Sequence, residues 1–279
     1  MRKKVAAGLL VLGAGAALAA APAQAADRPP APFVAGLTSA GELVAFLADN
    51  PGKVERVGMV NGLRGDSALV GVDFRVQDGK LYGVGDKGGV YTLGRQAKAT
   101  KVSQLSVALD GKAFGVDFNP AANRLRVISD TGQNLRHNLD DPMGAPAAGT
   151  TAVDGTLTLP PTATGVTGAG YTNNDLDAAT ATTLFDVDTA GDQVVVQSPA
   201  NAGNLAPTGK LGVDAGPVAG FDVFTTLRKG VAVANQGYAT LRVRGAYRFY
   251  AVDVLTGTTT RIGTFPADHQ VVDIAVRLD

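Results

Sequence analysis

Gly71-Val72-Asp73-Phe74, Gly115-Val116-Asp117-Phe118 and Gly220-Phe221-Asp222-Val223 open on nearly the same phrase, and Val272-Asp273-Ile274 repeats its core near the C-terminal end. Asp73 and Asp117 are 44 residues apart, Asp117 and Asp222 are 105 apart (about twice 52), and Asp222 and Asp273 are 51 apart. A fixed period of this size marks a repeat array in which each unit is one supersecondary element. One unit can be followed from Gly71. Residues 71–76 alternate, a polar turn follows at Gln77-Asp78-Gly79, and short strands are expected at 80–84, 90–93 and about 100–105. Four short strands with Gly/Asp punctuation in about 45–50 residues is the pattern of a propeller blade.

The second unit repeats the grammar at 115–118, 124–128 and 133–138, with its outer strand expected near 156–159. The third starts irregularly at Gly168-Ala169-Gly170-Tyr171 and continues through 182–188 and 193–197. The fourth runs through 220–224, 230–234, 249–254 and 258–263. Residues 271–277 then read as a first strand with nothing after it, while 33–37, 43–47 and 54–60 supply three strands with no first. Each blade is apolar on both faces and must pack on two neighbours, so an open array would leave two apolar ends uncovered. The expected fold is all-β, a five-bladed β-propeller closed by pairing of N- and C-terminal strands in one blade. The competing reading is a β-sandwich with accidental internal similarity.

Arg2-Lys3-Lys4, an apolar run over 5–20 and the small residues of Ala23-Gln24-Ala25 read as an export signal over 1–25, followed by a single domain over 26–279. Localisation is therefore expected to be secreted, extracellular or in the cell envelope, with no membrane anchor. The chain has no cysteine, which excludes disulfides, a lipoprotein anchor and thiol chemistry. Without the signal, 22 basic residues face 25 acidic ones, a balance that argues against a nucleic-acid partner. Only Glu42 and Glu55 are glutamates and the other 23 acidic residues are aspartates, a turn-forming bias that suits a loop-rich β protein.

The runs 71–93, 115–138 and 182–214, above all Asp130-Thr131-Gly132-Gln133-Asn134-Leu135-Arg136, resemble a family of secreted bacterial proteins known as a domain of unknown function with propeller-like repeats. The resemblance supports the fold. It implies no activity, substrate or catalytic residue.

Among single residues, Asp73, Asp117, Asp222 and Asp273 come first, as candidates to line the axial channel. Converging there, they could hold a cation such as calcium, which takes several oxygen ligands. Alternatively each accepts backbone hydrogen bonds. Gly170 stands where the third unit would place its aspartate. The densest polar cluster on a regular element is Arg124, Arg126, Asp130, Asn134 and Arg136, the best candidate for a ligand site. Its arginine forks suit a carboxylate or a sugar, or else form ion pairs with the repeated aspartates. Asn173-Asn174-Asp175-Leu176-Asp177 lacks the further positions of a calcium loop, and His137 and His269 are isolated. No nucleophile elbow or phosphate loop occurs, so no catalytic residue or metal ligand is assigned and no cofactor is expected beyond that open question of calcium. The sequence reading is a monomeric, non-enzymatic binding or scaffold module for a small molecule, glycan or protein. The alternative is a hydrolase or lyase with a channel-centred metal.

Overall fold

The computed structural model describes residues 31–160, 164–177 and 179–278, so the export signal read over 1–25 lies outside the described residues. Strands β1 (Phe33–Thr38), β2 (Glu42–Leu47) and β3 (Glu55–Met59) come first. The first blade is β4 (Leu69–Arg75), β5 (Lys80–Gly85), β6 (Gly89–Leu93) and β7 (Ala99–Gln104). The second is β8 (Phe114–Asn119), β9 (Arg124–Ser129), β10 (Asn134–His137) and β11 (Thr151–Val153). The third is β12 (Val166–Tyr171), β13 (Leu184–Asp188), β14 (Gln193–Gln197) and β15 (Leu205–Lys210). The fourth is β16 (Ala219–Arg228), β17 (Val231–Val243), β18 (Ala246–Val252) and β19 (Thr259–Thr264). Finally β20 (Val271–Val276) pairs antiparallel with β1, Gly36 opposite Ile274, giving a seam blade of order β20-β1-β2-β3. The protein is a five-bladed β-propeller of four-stranded sheets. Among the described residues no helix is long and apolar enough to cross a membrane.

Apolar alternation on both faces of each sheet places the core in the joints between blades rather than within them. Phe185, Val187 and Val194 of the third blade pack on Phe221, Val223, Leu241 and Val252 of the fourth. Tyr82 and Val90 meet Phe118, Val127 and Leu135 across the first joint, and Ile128 meets Val166, Leu184 and Val195 across the next. The seam blade packs on the first through Leu37 and Leu43 against Val72 and Tyr91, and on the fourth through Phe46, edge-on to Phe249 at 5.2 Å. No blade buries its faces alone, as the repeat argument requires.

The repeated glycine has a steric cause. A Cβ on Gly71 would sit 2.4 Å from Val116 of the next blade, and one on Gly220 would sit 2.5 Å from Cα of Asp273. At Gly115 it would meet the backbone nitrogen of Ala169 at 2.7 Å. The phrase therefore opens on glycine because the inner strands approach one another too closely for a side chain.

Two local expectations are corrected. The outer strand of the second blade is 151–153 rather than 156–159, where Thr158 makes only an isolated bridge to Asn204. Leu157, 2% exposed, is drawn inward to the joint with the third blade and leaves the sheet edge to the residues before it. The β16–β17 hairpin is also longer than expected. Lys229 and Gly230, at φ 53° and 78°, form a two-residue turn between the paired Arg228 and Val231, the mirror-image type that fits strand twist. Counted from its aspartate, β16 runs about four residues beyond β4 or β8, so the hairpin stands roughly 13 Å proud of the rim.

Replacing Gly115 by alanine is expected to destabilise the ring by about 1–3 kcal/mol, because the obstructing atoms are backbone and cannot rotate away. Urea unfolding of Gly115→Ala beside Gly52→Ala, an exposed glycine with ordinary φ and no atom closer than 4.0 Å to an added Cβ, separates the effect of the joint from that of glycine removal in general. Equal midpoints would refute the close-approach argument.

Candidate functional site

The inner strands bring the four repeated aspartates to the axis, and each of them hands a carboxylate to the next blade. Asp273 Oδ2 accepts the N–H of Val72 at 2.7 Å, and Asp73 Oδ2 accepts that of Phe118 at 2.7 Å. Asp117 Oδ1 accepts the N–H of Tyr171 at 3.2 Å, and Asp222 Oδ2 accepts that of Val276 at 2.5 Å. The remaining oxygens of Asp73 and Asp222 accept the N–H groups of Phe74 and Val223, at 2.7 and 2.6 Å. The carboxylates thus bond neighbouring inner strands rather than loops. At the third blade the relay stops, because Gly170 offers no carboxylate, and a Cβ there would press on Val223 and Phe221 at 3.0 and 3.2 Å. There the direction reverses, and the hydroxyl of Thr225 accepts the N–H of Asn173 at 2.7 Å.

Oxygens of Asp73, Asp117 and Asp222 lie within 4.8 Å of one another, and all three residues are buried. These are the side chains that could share a cation, or else share protons. Burial, then repulsion from Asp222, holds Asp73 well above the ordinary carboxylate value of 3.8. Burial raises Asp117 in the same way, joined by repulsion from Asp73 and Asp222, and burial raises Asp273. Asp222 is lifted by burial to about 6, against the two backbone N–H groups that favour its charge.

The second cluster comes together in four of its five members. Arg126, 2% exposed on β9, donates Nε to the Tyr171 hydroxyl at 3.2 Å and Nη1 to Asn134 Oδ1 and Asp154 at 2.6 and 2.7 Å. Its Nη2 donates to Asn201 Oδ1 at 2.7 Å. Arg136 grips both oxygens of Asp154 at 3.0 and 3.1 Å, and Arg124 holds Asp141 at 3.1 Å. Asp130 stands apart at the far end of β9, where Oδ1 accepts the N–H groups of Lys112 and Ala113 and closes a turn. The arginine partners are Asp154 and Asp141, not the repeated aspartates.

Among the other candidates, Asn173, Asp175 and Asp177 each accept a backbone N–H two residues on, which makes a chain of turns. His137 is buried between Ser103 and Thr151, its pKa lowered by that burial, and His269 meets Glu42. Sequence reasoning missed Asp186 at the centre of β13, fully buried with neither oxygen hydrogen-bonded. Burial pushes it well above the ordinary carboxylate value, only partly offset by Arg126, and an ionised carboxylate without donors is untenable there. A lone acidic residue within Leu184-Phe185-Asp186-Val187 was the available signal.

Sequence reasoning also missed a groove of about 840 Å³ where the relay is interrupted, between the third and fourth blades. Phe185, Val252 and Val254 form its apolar part, and Thr172, Thr183, Asn235, Asp253, Thr258 and Thr260 its polar part. The protruding hairpin forms one wall through Ala234, Asn235 and Gln236.

The axial carboxylates make a pH dependence of defined sign. Their folded-state pKa values lie above the unfolded value, so stability is fully present below about 4 and is lost as pH climbs through the folded values, about 6 for Asp222. In buffer with chelator the melting temperature is expected to be higher at pH 5 than at pH 8. Asp117→Asn keeps the acceptor for Tyr171 and removes one charge, and at pH 8 it is expected to stabilise by on the order of 1–3 kcal/mol. Superimposable melts of both proteins at both pH values would overturn this account.

Solved structures that match include an auxiliary nutrient binding protein from Bacteroides thetaiotaomicron, 12% identical over 80% of this chain and 56% of that one, with a TM-score of 0.45. A structural genomics protein of unknown function from the same organism is 15% identical over 90% and 65%, with a TM-score of 0.43. BamB from Moraxella catarrhalis is 14% identical over 81% and 62%, with a TM-score of 0.35. The chain thus spans between just over half and just under two thirds of the length of these proteins. No curated protein matches it. Residues 42–275 match the model of the domain of unknown function DUF4394, and the chain belongs to that family.

Proposed function

We propose that the protein acts outside the cytoplasm as a monomeric, non-enzymatic binding module, and that its ligand sits in the groove between the third and fourth blades. The groove itself carries this reading. An apolar floor of Phe185 and Val252 lies beneath a rim of hydroxyl and amide groups, and the one carboxylate there, Asp253, has Oδ1 engaged by the N–H groups of Leu255 and Thr256. This is the make-up of a site for an uncharged organic ligand. Sugar hydroxyls and peptide groups both offer donors and acceptors to such a rim. The basic, apolar leader of residues 1–25 supports export.

Screening a panel of neutral oligosaccharides and uncharged peptides should yield a binder whose affinity falls at least tenfold in Thr183→Trp and Thr258→Trp. Both residues are exposed, so the melting temperature of each variant should match the parent protein. Undiminished binding in both variants would move the site elsewhere.

The second reading, a metal-centred hydrolase or lyase, draws on the Asp73–Asp117–Asp222 triad. The three residues are 3–6% exposed, which favours an ion with a structural role over one that meets a substrate. After dialysis against chelator, calcium added at pH 8 would raise the melting temperature if the triad takes it, and Asp117→Asn would erase the rise. A rise that survives in the variant would remove the triad from this reading.

A further inference from the structure

A small pocket of about 140 Å³ opens between the second and third blades, lined by Arg124, Arg126, Arg136, Asn119, Tyr171 and Asn201. Three guanidiniums converge there on two carboxylates, Asp154 between Arg126 and Arg136, and Asp141 on Arg124. The other nearby acids do not close the balance. Asp186 is fully buried and its oxygens take no hydrogen bond. Asp117, opposite Arg126 on β8, turns its carboxylate to the Tyr171 N–H at 3.2 Å and to the axial group, and Asp140 is taken by Arg75 of the first blade at 2.5 Å. One positive charge is left over beside Arg126, whose side chain is 2% exposed.

The donors show the same surplus as the charges. A guanidinium offers five N–H groups. Arg126 uses four of its five, on Tyr171, Asn134, Asp154 and Asn201. Nη2 of Arg124 donates only to Asp141, and Nη1 of Arg136 only to the carbonyl of Ala145. Each of the three arginines therefore retains an N–H with no acceptor among the described residues, and all three border one pocket. The close fit around Arg124 is built in: a Cβ on Gly144 would lie on top of its Nη2.

We propose that this pocket is an anion site that takes one carboxylate group on Arg124, Arg126 and Arg136. A planar carboxylate matches the arginine fork, and its single charge equals the surplus, whereas a phosphate dianion would exceed it. Roughly 140 Å³ admits a carboxylate with its carbon stem but not a whole sugar ring plus substituents. The carboxylate is either that of a small free acid or the projecting group of a larger acidic molecule such as a uronic acid. Arg136, 23% exposed in its side chain, stands at the open side.

Calorimetric titration with sodium acetate, sodium lactate and sodium glucuronate, at ionic strength fixed with sodium chloride, tests the assignment. At least one carboxylate should bind with one-to-one stoichiometry. Acetate or lactate binding alone identifies a free small acid, and glucuronate binding identifies a group carried on a sugar. Asn201→Asp places the missing carboxylate on Arg126 in cis, and should keep or raise the melting temperature while weakening binding at least tenfold. Arg136→Gln, which leaves Asp154 paired with Arg126, should also weaken it at least tenfold. The proposal is overturned if none of the three acids binds, if sulfate binds more tightly than all of them, or if Asn201→Asp binds as the parent protein does.

Discussion

The structure depends on how closely five inner strands can approach one axis. Glycine at the head of the repeated phrase removes the side chain that would keep neighbouring strands apart, and aspartate two residues on reaches across the gap to a backbone N–H. The approach creates the electrostatic problem as well, since it brings three carboxylates within 4.8 Å of one another. Buried carboxylates at this spacing repel, and the cost falls only if protons or a cation neutralise them. One geometric constraint thus accounts for the glycine, the aspartate and the raised pKa values together.

The architecture was legible in the sequence because the inner-strand phrase is imposed by the axis and recurs wherever a strand meets it. Blade number followed from the spacing of Asp73, Asp117, Asp222 and Asp273. What could not be read was where partners come from. Arg124, Arg126 and Arg136 were recognisable as a cluster, but Asp141, Asp154 and Asn201 reach them from positions 17, 28 and 75 residues away. Asp130 belonged to the same stretch of sequence, yet strand direction carries it to the opposite end of the sheet. Asp186 escaped notice because alternation records which side chains turn inward, and says nothing of whether a buried acid finds a donor.

The third blade departs from the rule in a connected way. Its first strand carries Gly168 and Gly170 against Phe221, and the loop that follows runs from 172 to 183, far longer than the turn at the same place in the first blade. The facing blade extends its hairpin beyond the rim, and the groove lies between these two additions. The region that deviates from the repeat is therefore the one that shapes an opening. This is where a symmetric scaffold would have to differ from itself to recognise anything.

Four joints of the ring are bridged on the axis by carboxylates, while the joint between the third and fourth blades is held there by a threonine hydroxyl and by aromatic and aliphatic packing. The carboxylates whose pKa values burial raises bridge the first four, and none of them bridges the fifth. Because the fifth joint frames the groove, the walls of that opening are held together at the axis without a titrating carboxylate.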